Sequence, residues 1–137
     1  MSEAYNPSGV VVPFGAFSNI ALQPDGQVVH VAGQVAWDAD GNLVGKGDMA
    51  AQCRQVCENV RGCLKAVGGD LDDIVSVIVY VTDMTHLAEI HAVRRELFSK
   101  PYPASTLVQV AGLVQPDLMF EMSAVAVIPH SRFHRPG

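Results

Sequence analysis

The chain has 137 residues, 49% of them hydrophobic and 17% charged, and its formal net charge at pH 7 is -5. This length fits one domain, and the negative charge argues against a nucleic-acid partner, because nucleic-acid binding requires a basic face. No run approaches the roughly 20 apolar residues of a membrane span, and the N-terminus lacks the basic and apolar regions of a signal peptide, so we predict a cytoplasmic protein without a membrane partner.

The small share of charged residues predicts that part of the apolar surface is buried against another chain. Average proteins carry about 25% charged residues, and a short domain buries a smaller share of its surface than a long one. The three cysteines, Cys53, Cys57 and Cys63, lack the paired spacing of a zinc site, and we predict that they are core thiols. We therefore expect an oligomer that holds no metal.

The first half of the chain predicts two strands and a helix. Segments 16–22 and 27–32 alternate between apolar and polar residues and flank a Pro-Asp-Gly turn, which predicts a hairpin. Residues 49–67 carry apolar side chains at steps of three and four after Asp48, a suitable N-cap, and a Gly-Gly pair follows. This pattern predicts a helix of about five turns.

The second half predicts a central strand, a second helix and two final strands. The β-branched run 74–82 is typical of a strand buried on both faces. Asp83 or Thr85 then caps a helix that ends before Ser99-Lys100-Pro101. The last strands are predicted at 103–110 and 118–128, where aliphatic and β-branched residues lie between prolines.

The predicted order β-β-α-β-α-β-β indicates an α+β two-layer sandwich. Two helices of about five and three turns cover only one face of a mixed sheet of five to six strands. The other face would stay apolar and bare, which favours association with further subunits. We predict one domain over residues 14–129, an extended lead-in at residues 1–13 and a loose C-terminal tail at residues 130–137.

Glu121 is the one carboxylate inside the otherwise uncharged, apolar strand 118–128. Burial of an unpaired charge costs several kcal/mol in proteins. One explanation is a partner, such as a backbone amide or a basic side chain across a subunit contact. The other is that the carboxylate takes part in chemistry.

The order of elements and a set of short motifs resemble the Rid (YjgF) family of reactive-intermediate deaminases over about residues 14–129. The motifs are Gly33-Gln34 at the end of a strand, the strand 74–82 followed by Asp83, and Pro103-Ala104 followed further on by Glu121 between hydrophobic residues. The resemblance implies a chorismate-mutase-like fold and a homotrimer with clefts between subunits. It also implies hydrolysis of 2-aminoacrylate and related imines to 2-oxo acids without a cofactor.

The same resemblance assigns roles to single residues. Glu121 would be the catalytic group that positions water and moves protons. In the deaminases an arginine follows Pro-Ala and clamps the substrate carboxylate, whereas Ser105 stands at this position here. The substrate-binding residues that the resemblance implies are Phe17, Gly33, Leu87, His91, Ser105, Thr106 and Leu107.

With a serine at position 105, the sequence does not identify the residue that binds the substrate carboxylate. A hydroxyl offers one neutral hydrogen bond, whereas a guanidinium offers two charged ones. Arg94 or Arg95 of the second helix could reach the cleft instead, or His91 could serve as the anchor or as an extra acid or base. A substrate without a carboxylate is the third alternative. The competing interpretation of Arg94 and Arg95 is a solvated helix face.

Two functions follow from the sequence. The first is a cofactor-independent hydrolase of a small reactive imine or enamine that differs from 2-aminoacrylate, acting in the clefts of a trimer. The alternative is a non-enzymatic module that binds a small metabolite, or acts by association, on the same trimeric fold. The ribonuclease label of some family members ranks third, because it requires a basic surface that this chain lacks.

Overall fold

The computed structural model describes residues 3–137, which form strands and helices in the predicted α+β arrangement. Two short 3-10 turns, Leu71–Asp73 and Met84–His86, precede a strand and a helix. No helix among the described residues is both long and apolar enough to cross a membrane. The strands are β1 (Glu3–Tyr5), β2 (Ile20–Leu22), β3 (Gln27–Val35), β4 (Ile74–Val81), β5 (Ala104–Gln109) and β6 (Phe120–Ile128), and the helices are α1 (Met49–Lys65) and α2 (Leu87–Leu97).

The strands β3, β6, β4 and β5 form one mixed sheet in that order. Strand β6 runs antiparallel to β3 and β4, whereas β4 and β5 are parallel. The predicted central position of β4 is confirmed. The predicted count of five to six strands is wrong, because β2 pairs with β1 in a separate two-stranded sheet.

The predicted hairpin between residues 16–22 and 27–32 is also wrong. The residues before β2 run along the β5 edge of the main sheet, where the Ser18 N–H donates to the Pro103 carbonyl at 3.0 Å and Ser18 forms a parallel bridge with Ala104. Strands β5 and β3 lie at opposite edges of that sheet. The chain is held at the β5 edge, so β2 meets β1 rather than β3.

Helices α1 and α2 pack on one face of the mixed sheet, as the sequence predicts. The residues of β4 and β6 that face them alternate along each strand, as the side chains of a pleated strand must. The carboxylate of Asp48 accepts a hydrogen bond from the Ala51 N–H at 3.0 Å and caps α1. The buried residues on the helix side of the sheet include Val77, Val79, Val81, Phe120, Met122 and Ala124.

Two of the three cysteines lie in this core. Cys53 and Cys57 are fully buried in α1, which agrees with their place in its apolar stripe. Cys63 is exposed, so the prediction of a core thiol is wrong at this position. Cys63 lies off the stripe formed by Val56, Val60 and Leu64 and turns toward solvent.

The other face of the sheet carries exposed apolar side chains. Ile78 of β4 is 41% exposed and Val108 of β5 is 39% exposed. Elsewhere on the surface, Val11 and Val12 of the lead-in segment are each 79% exposed. Apolar surface of this kind marks interaction sites in stable proteins, and it is the feature that favours association.

The C-terminal segment is attached to the domain, which corrects the prediction of a loose tail. The guanidinium of Arg132 donates to both carboxylate oxygens of buried Asp73, at 2.7 and 3.1 Å. Arg132 also donates to the Gly68 carbonyl at 3.0 Å, and the His134 N–H donates to the Val67 carbonyl at 3.1 Å. A bidentate bond between arginine and carboxylate is among the stronger polar contacts in proteins, and it holds this segment near the start of β4.

Candidate active site

A cleft of about 270 Å³ lies between α2, β5 and the segment that precedes β2. Its walls are mainly apolar, with three polar side chains among them, which is the usual character of a small-molecule site. Five of the predicted substrate-binding residues lie here together. The lining residues are Phe14, Phe17, Met84, Leu87, His91, Arg94, Ser105 and Leu107, of which sequence reasoning did not assign Phe14 and Met84 to the site.

His91 is fixed in one wall of the cleft. Its side chain is buried, and its Nδ1 accepts a hydrogen bond from the Ala16 N–H at 3.1 Å. A Cβ at Gly15 would overlap the imidazole ring, so glycine is needed for the backbone to approach this closely. The ring also lies against Phe14 and Phe17, with centroids 5.7 and 6.2 Å away.

These surroundings determine the charge of His91. Burial, and then the positive charges of Arg94 and Arg95, lower the pKa of His91 from its usual 6.5 to about 4. The imidazole is therefore neutral at neutral pH. Because Nδ1 accepts a hydrogen bond, the single ring proton resides on Nε2, and His91 offers the cleft a donor.

The depressed pKa of His91 predicts an acid-dependent loss of stability. Between pH 6.5 and about 4 the unfolded chain binds a proton at this ring and the folded chain does not, so the free energy of unfolding falls as the pH falls through that range. From pH 7 to pH 5 we expect His91 to contribute a loss of about 2 kcal/mol. Urea unfolding of wild type and His91→Gln at both pH values measures it. Equal pH dependence in the two proteins would contradict the prediction.

Arg94 lies in the cleft, and its neighbour Arg95 does not. Arg94 is 1% exposed, and its Nη1 donates to the Ser105 hydroxyl at 3.2 Å. The interpretation of Arg94 as part of a solvated helix face is therefore wrong. Arg95 is exposed and donates to the Phe14 carbonyl at 3.2 Å. The signal for Arg94 was its spacing of seven residues from Leu87, which places both on the inner face of α2.

Glu121 and Gly33 lie together, but outside the cleft. A Cβ at Gly33 would overlap the carboxylate of Glu121, so the glycine allows this carboxylate to lie against β3. Within residues 3–137 the carboxylate has no hydrogen-bond or ion-pair partner. The half-buried Glu121 alternates with buried Phe120 and Met122, so it points to the open face of the sheet.

Ser105, in contrast, shares the helix face with Val77 and Ala124, to which it is linked through the strand register. From Ser105 to Glu121 there are two strand spacings of about 4.8 Å and three residues of about 3.3 Å each, so their Cα atoms are roughly 14 Å apart. One chain therefore holds the two halves of the predicted site on opposite faces of its sheet.

Thr106 lies on the same face of the sheet as Glu121, opposite to the face that carries Ser105. It is exposed and pairs with Ile78, which lies on the open face. Thr106 therefore does not line the cleft within its own chain, although it borders a groove at the edge of β5 beside Asn19. Among the described residues, no three His, Cys, Asp or Glu side chains gather in a way that could hold a metal ion.

A two-helix layer on a mixed sheet is the fold that this chain shares with solved structures of the family that the sequence resembles. The family described as Endoribonuclease L-PSP matches residues 10–128. The chain belongs to this family, which is the Rid (YjgF) family, and the predicted membership is confirmed.

Solved structures of family members have the same fold. YyfB from Yersinia pestis, described as a Rid family protein of unknown function, is 33% identical with a TM-score of 0.82, over 93% of this chain and 98% of that chain. RidA from an Antarctic Psychrobacter is 29% identical with a TM-score of 0.70, over 92% and 99% of the two chains. A YjgF/YER057c/UK114 family member from Mycobacterium tuberculosis is 28% identical with a TM-score of 0.65, over 93% and 100%.

Proposed function

We propose that this protein is a cofactor-independent hydrolase of a small reactive imine or enamine, and that it acts in clefts between the subunits of a homotrimer. The observation that carries the proposal is the carboxylate of Glu121, which is half-buried in an apolar strand and has no partner within residues 3–137. A carboxylate kept in this state is suited to hold a water molecule and to exchange protons with it.

The reaction has two steps that a single carboxylate can serve. Glu121 accepts a proton from water as the water oxygen bonds to the imine carbon, and it returns that proton to the imine nitrogen. The carbon–nitrogen bond of the resulting carbinolamine then breaks, ammonia leaves, and the carbonyl product forms. An enamine first takes up a proton at carbon to become the imine. The balance is imine plus water giving carbonyl compound plus ammonia.

The positions of Glu121 and of the cleft support the proposed association of subunits. Glu121 lies on the open face and the cleft lies on the helix face, so a cleft gains this carboxylate only from a second subunit. The exposed Ile78 and Val108 on the open face support such packing. Closed assemblies of identical subunits repeat one contact around an axis, which in a trimer gives three equivalent clefts.

The non-enzymatic module remains the second candidate, and it is favoured by the serine at position 105. A serine in place of the motif arginine is compatible with binding that leads to no reaction. The endoribonuclease in the family's description fits this chain less well, because its net charge of -5 opposes a polyanion.

An assay that generates imines in solution tests the proposal. Oxidation of a panel of amino acids would supply 2-imino acids, and release of 2-oxo acid or ammonia would be followed with and without the wild-type protein. We expect the protein to accelerate release above the spontaneous rate for at least one member. Binding of a panel member without any acceleration would support the binding module instead.

A further inference from the structure

The guanidinium of Arg94 has more donors than the chain uses. It carries five N–H groups, and its hydrogen bond to Ser105 uses one of them. Within residues 3–137 its Nε and Nη2 are buried and have no hydrogen-bond partner. The ring of Phe98, 5.9 Å from Cζ, adds only a weak cation–π contact. A charged group in this position is costly unless an anion completes it.

The acidic side chains on and around α2 are engaged elsewhere. Glu96 pairs with Arg54 at 2.9 Å, and Asp83 and Glu89 both lie within 3.7 Å of His86. All three are surface pairs outside the lining of the cleft. The chain therefore supplies no carboxylate to Arg94 from its own α2 face, and Arg94 is one of the residues that line the cleft.

The other polar groups of the cleft are suited to the same kind of ligand. His91 is neutral and presents an Nε2–H donor, and Ser105 presents a hydroxyl. Around them, Phe17, Leu87 and Leu107 form apolar walls. Charge–dipole and charge–charge interactions are stronger in such a setting than in water. A small, planar anion with an apolar end fits this combination of groups and the volume of about 270 Å³.

We infer that Arg94 is the carboxylate anchor of this cleft, so that its ligand is a small carboxylate and the substrate is a 2-imino acid or its enamine. The claim that the substrate is a 2-imino acid rests on the proposed function, whereas the claim that Arg94 binds a small carboxylate does not. The arginine that binds the carboxylate is then on α2 and not at position 105 of β5. A small residue at 105 is then a requirement, because a second guanidinium there would meet Arg94 directly.

Binding of pyruvate and of its neutral amide, pyruvamide, measured by NMR titration of the full-length protein, tests the anchor. We expect wild type to bind pyruvate more tightly than pyruvamide. Arg94→Met should weaken pyruvate binding by about 10- to 100-fold, the usual effect of losing a hydrogen bond to a charged group, and should leave pyruvamide binding nearly unchanged. Arg54→Met removes an equal charge from the surface and should change neither. Wild type that shows no preference for the carboxylate would overturn the inference.

Exchanging the two positions gives a second test that does not depend on one substitution. Ser105→Arg alone should weaken pyruvate binding, because two guanidiniums would compete for one site. The double variant Arg94→Met/Ser105→Arg should regain a preference for pyruvate over pyruvamide, because it restores a single arginine. Tighter pyruvate binding by Ser105→Arg alone would overturn the inference.

The same variants separate this inference from the proposed hydrolase. If pyruvate binding depends on Arg94 but no imine is hydrolysed, Arg94 is the carboxylate anchor and the proposed hydrolase function is rejected. Hydrolysis of 2-imino acids that persists in Arg94→Met, together with unchanged pyruvate binding, would retain the enzyme and reject the anchor.

Discussion

Replacing Glu121 by glutamine is expected to lower kcat for imine hydrolysis by about 10²- to 10⁴-fold, the usual contribution of a positioned acid or base. Glutamine has nearly the same shape, so it fits against Gly33 as the carboxylate does. It cannot accept a proton from water at neutral pH, and this is the change that matters. Turnover of the best imine by both proteins, with pyruvate binding as a check on the cleft, measures the effect.

Mixing two impaired variants, assayed at a substrate concentration well below the wild-type KM, would show whether the site is shared between subunits. Glu121→Gln and Arg94→Met each remove one half of the proposed site. In a random 1:1 trimer mixture, about a quarter of the clefts combine an intact Arg94 with an intact Glu121 from the neighbour, so about a quarter of wild-type activity should return. Co-refolding with light scattering, to confirm the trimer, provides the measurement.

Three outcomes would contradict this account of Glu121. Unchanged turnover by Glu121→Gln would remove the carboxylate from the mechanism. A mixture that regains no activity would place both groups in the same subunit. A protein that is monomeric at assay concentration would leave the cleft without the carboxylate.

Replacing Gln52 by methionine is expected to lower the free energy of unfolding by about 3 kcal/mol or more. Gln52 is fully buried in α1 and joins the helix to two loops. Its Nε2 donates to the carbonyls of Gly45 and Asp117 at 3.1 and 2.9 Å, and its Oε1 accepts from the Met119 N–H at 2.7 Å. Methionine fills a similar volume but leaves these three backbone groups without their partner, at about 1 to 3 kcal/mol each.

Urea unfolding at neutral pH measures this loss, and Gln23→Met is the matched control. Gln23 is exposed, so the same exchange there should change stability by no more than about 0.5 kcal/mol. A loss at Gln52 as small as that at Gln23 would mean that water replaces the amide at all three backbone groups.

The long periodic elements could be predicted from the sequence, because each depends on a local pattern. In α1 apolar side chains recur every three or four residues, and β4 is a β-branched run. These patterns determine which residues are buried, whichever elements pack against them. The pairing of β2 could not be predicted in this way. It depends on the hydrogen bond between Ser18 and Pro103, residues that are far apart in sequence.

The candidate site shows the same division. Ser105, Leu107 and Leu87 were predicted from the family motif, and the structure brings them into one cleft. Thr106 was assigned with them, but one residue along a strand reverses the direction of a side chain. Arg94 was left open because a charge on an amphipathic helix usually faces water. Its spacing from Leu87 was compatible with the inner face of α2, and the packing of α2 shows that this arginine is enclosed.

The separation of Glu121 from the cleft gives the proposed enzyme a dependence on its own concentration. A dissociated chain would retain a pocket for a carboxylate but lose the group that activates water, so dilution would abolish turnover before it abolished ligand binding. Ligands that span the subunit boundary would in turn hold the assembly together, since whatever binds only the associated form favours it by mass action.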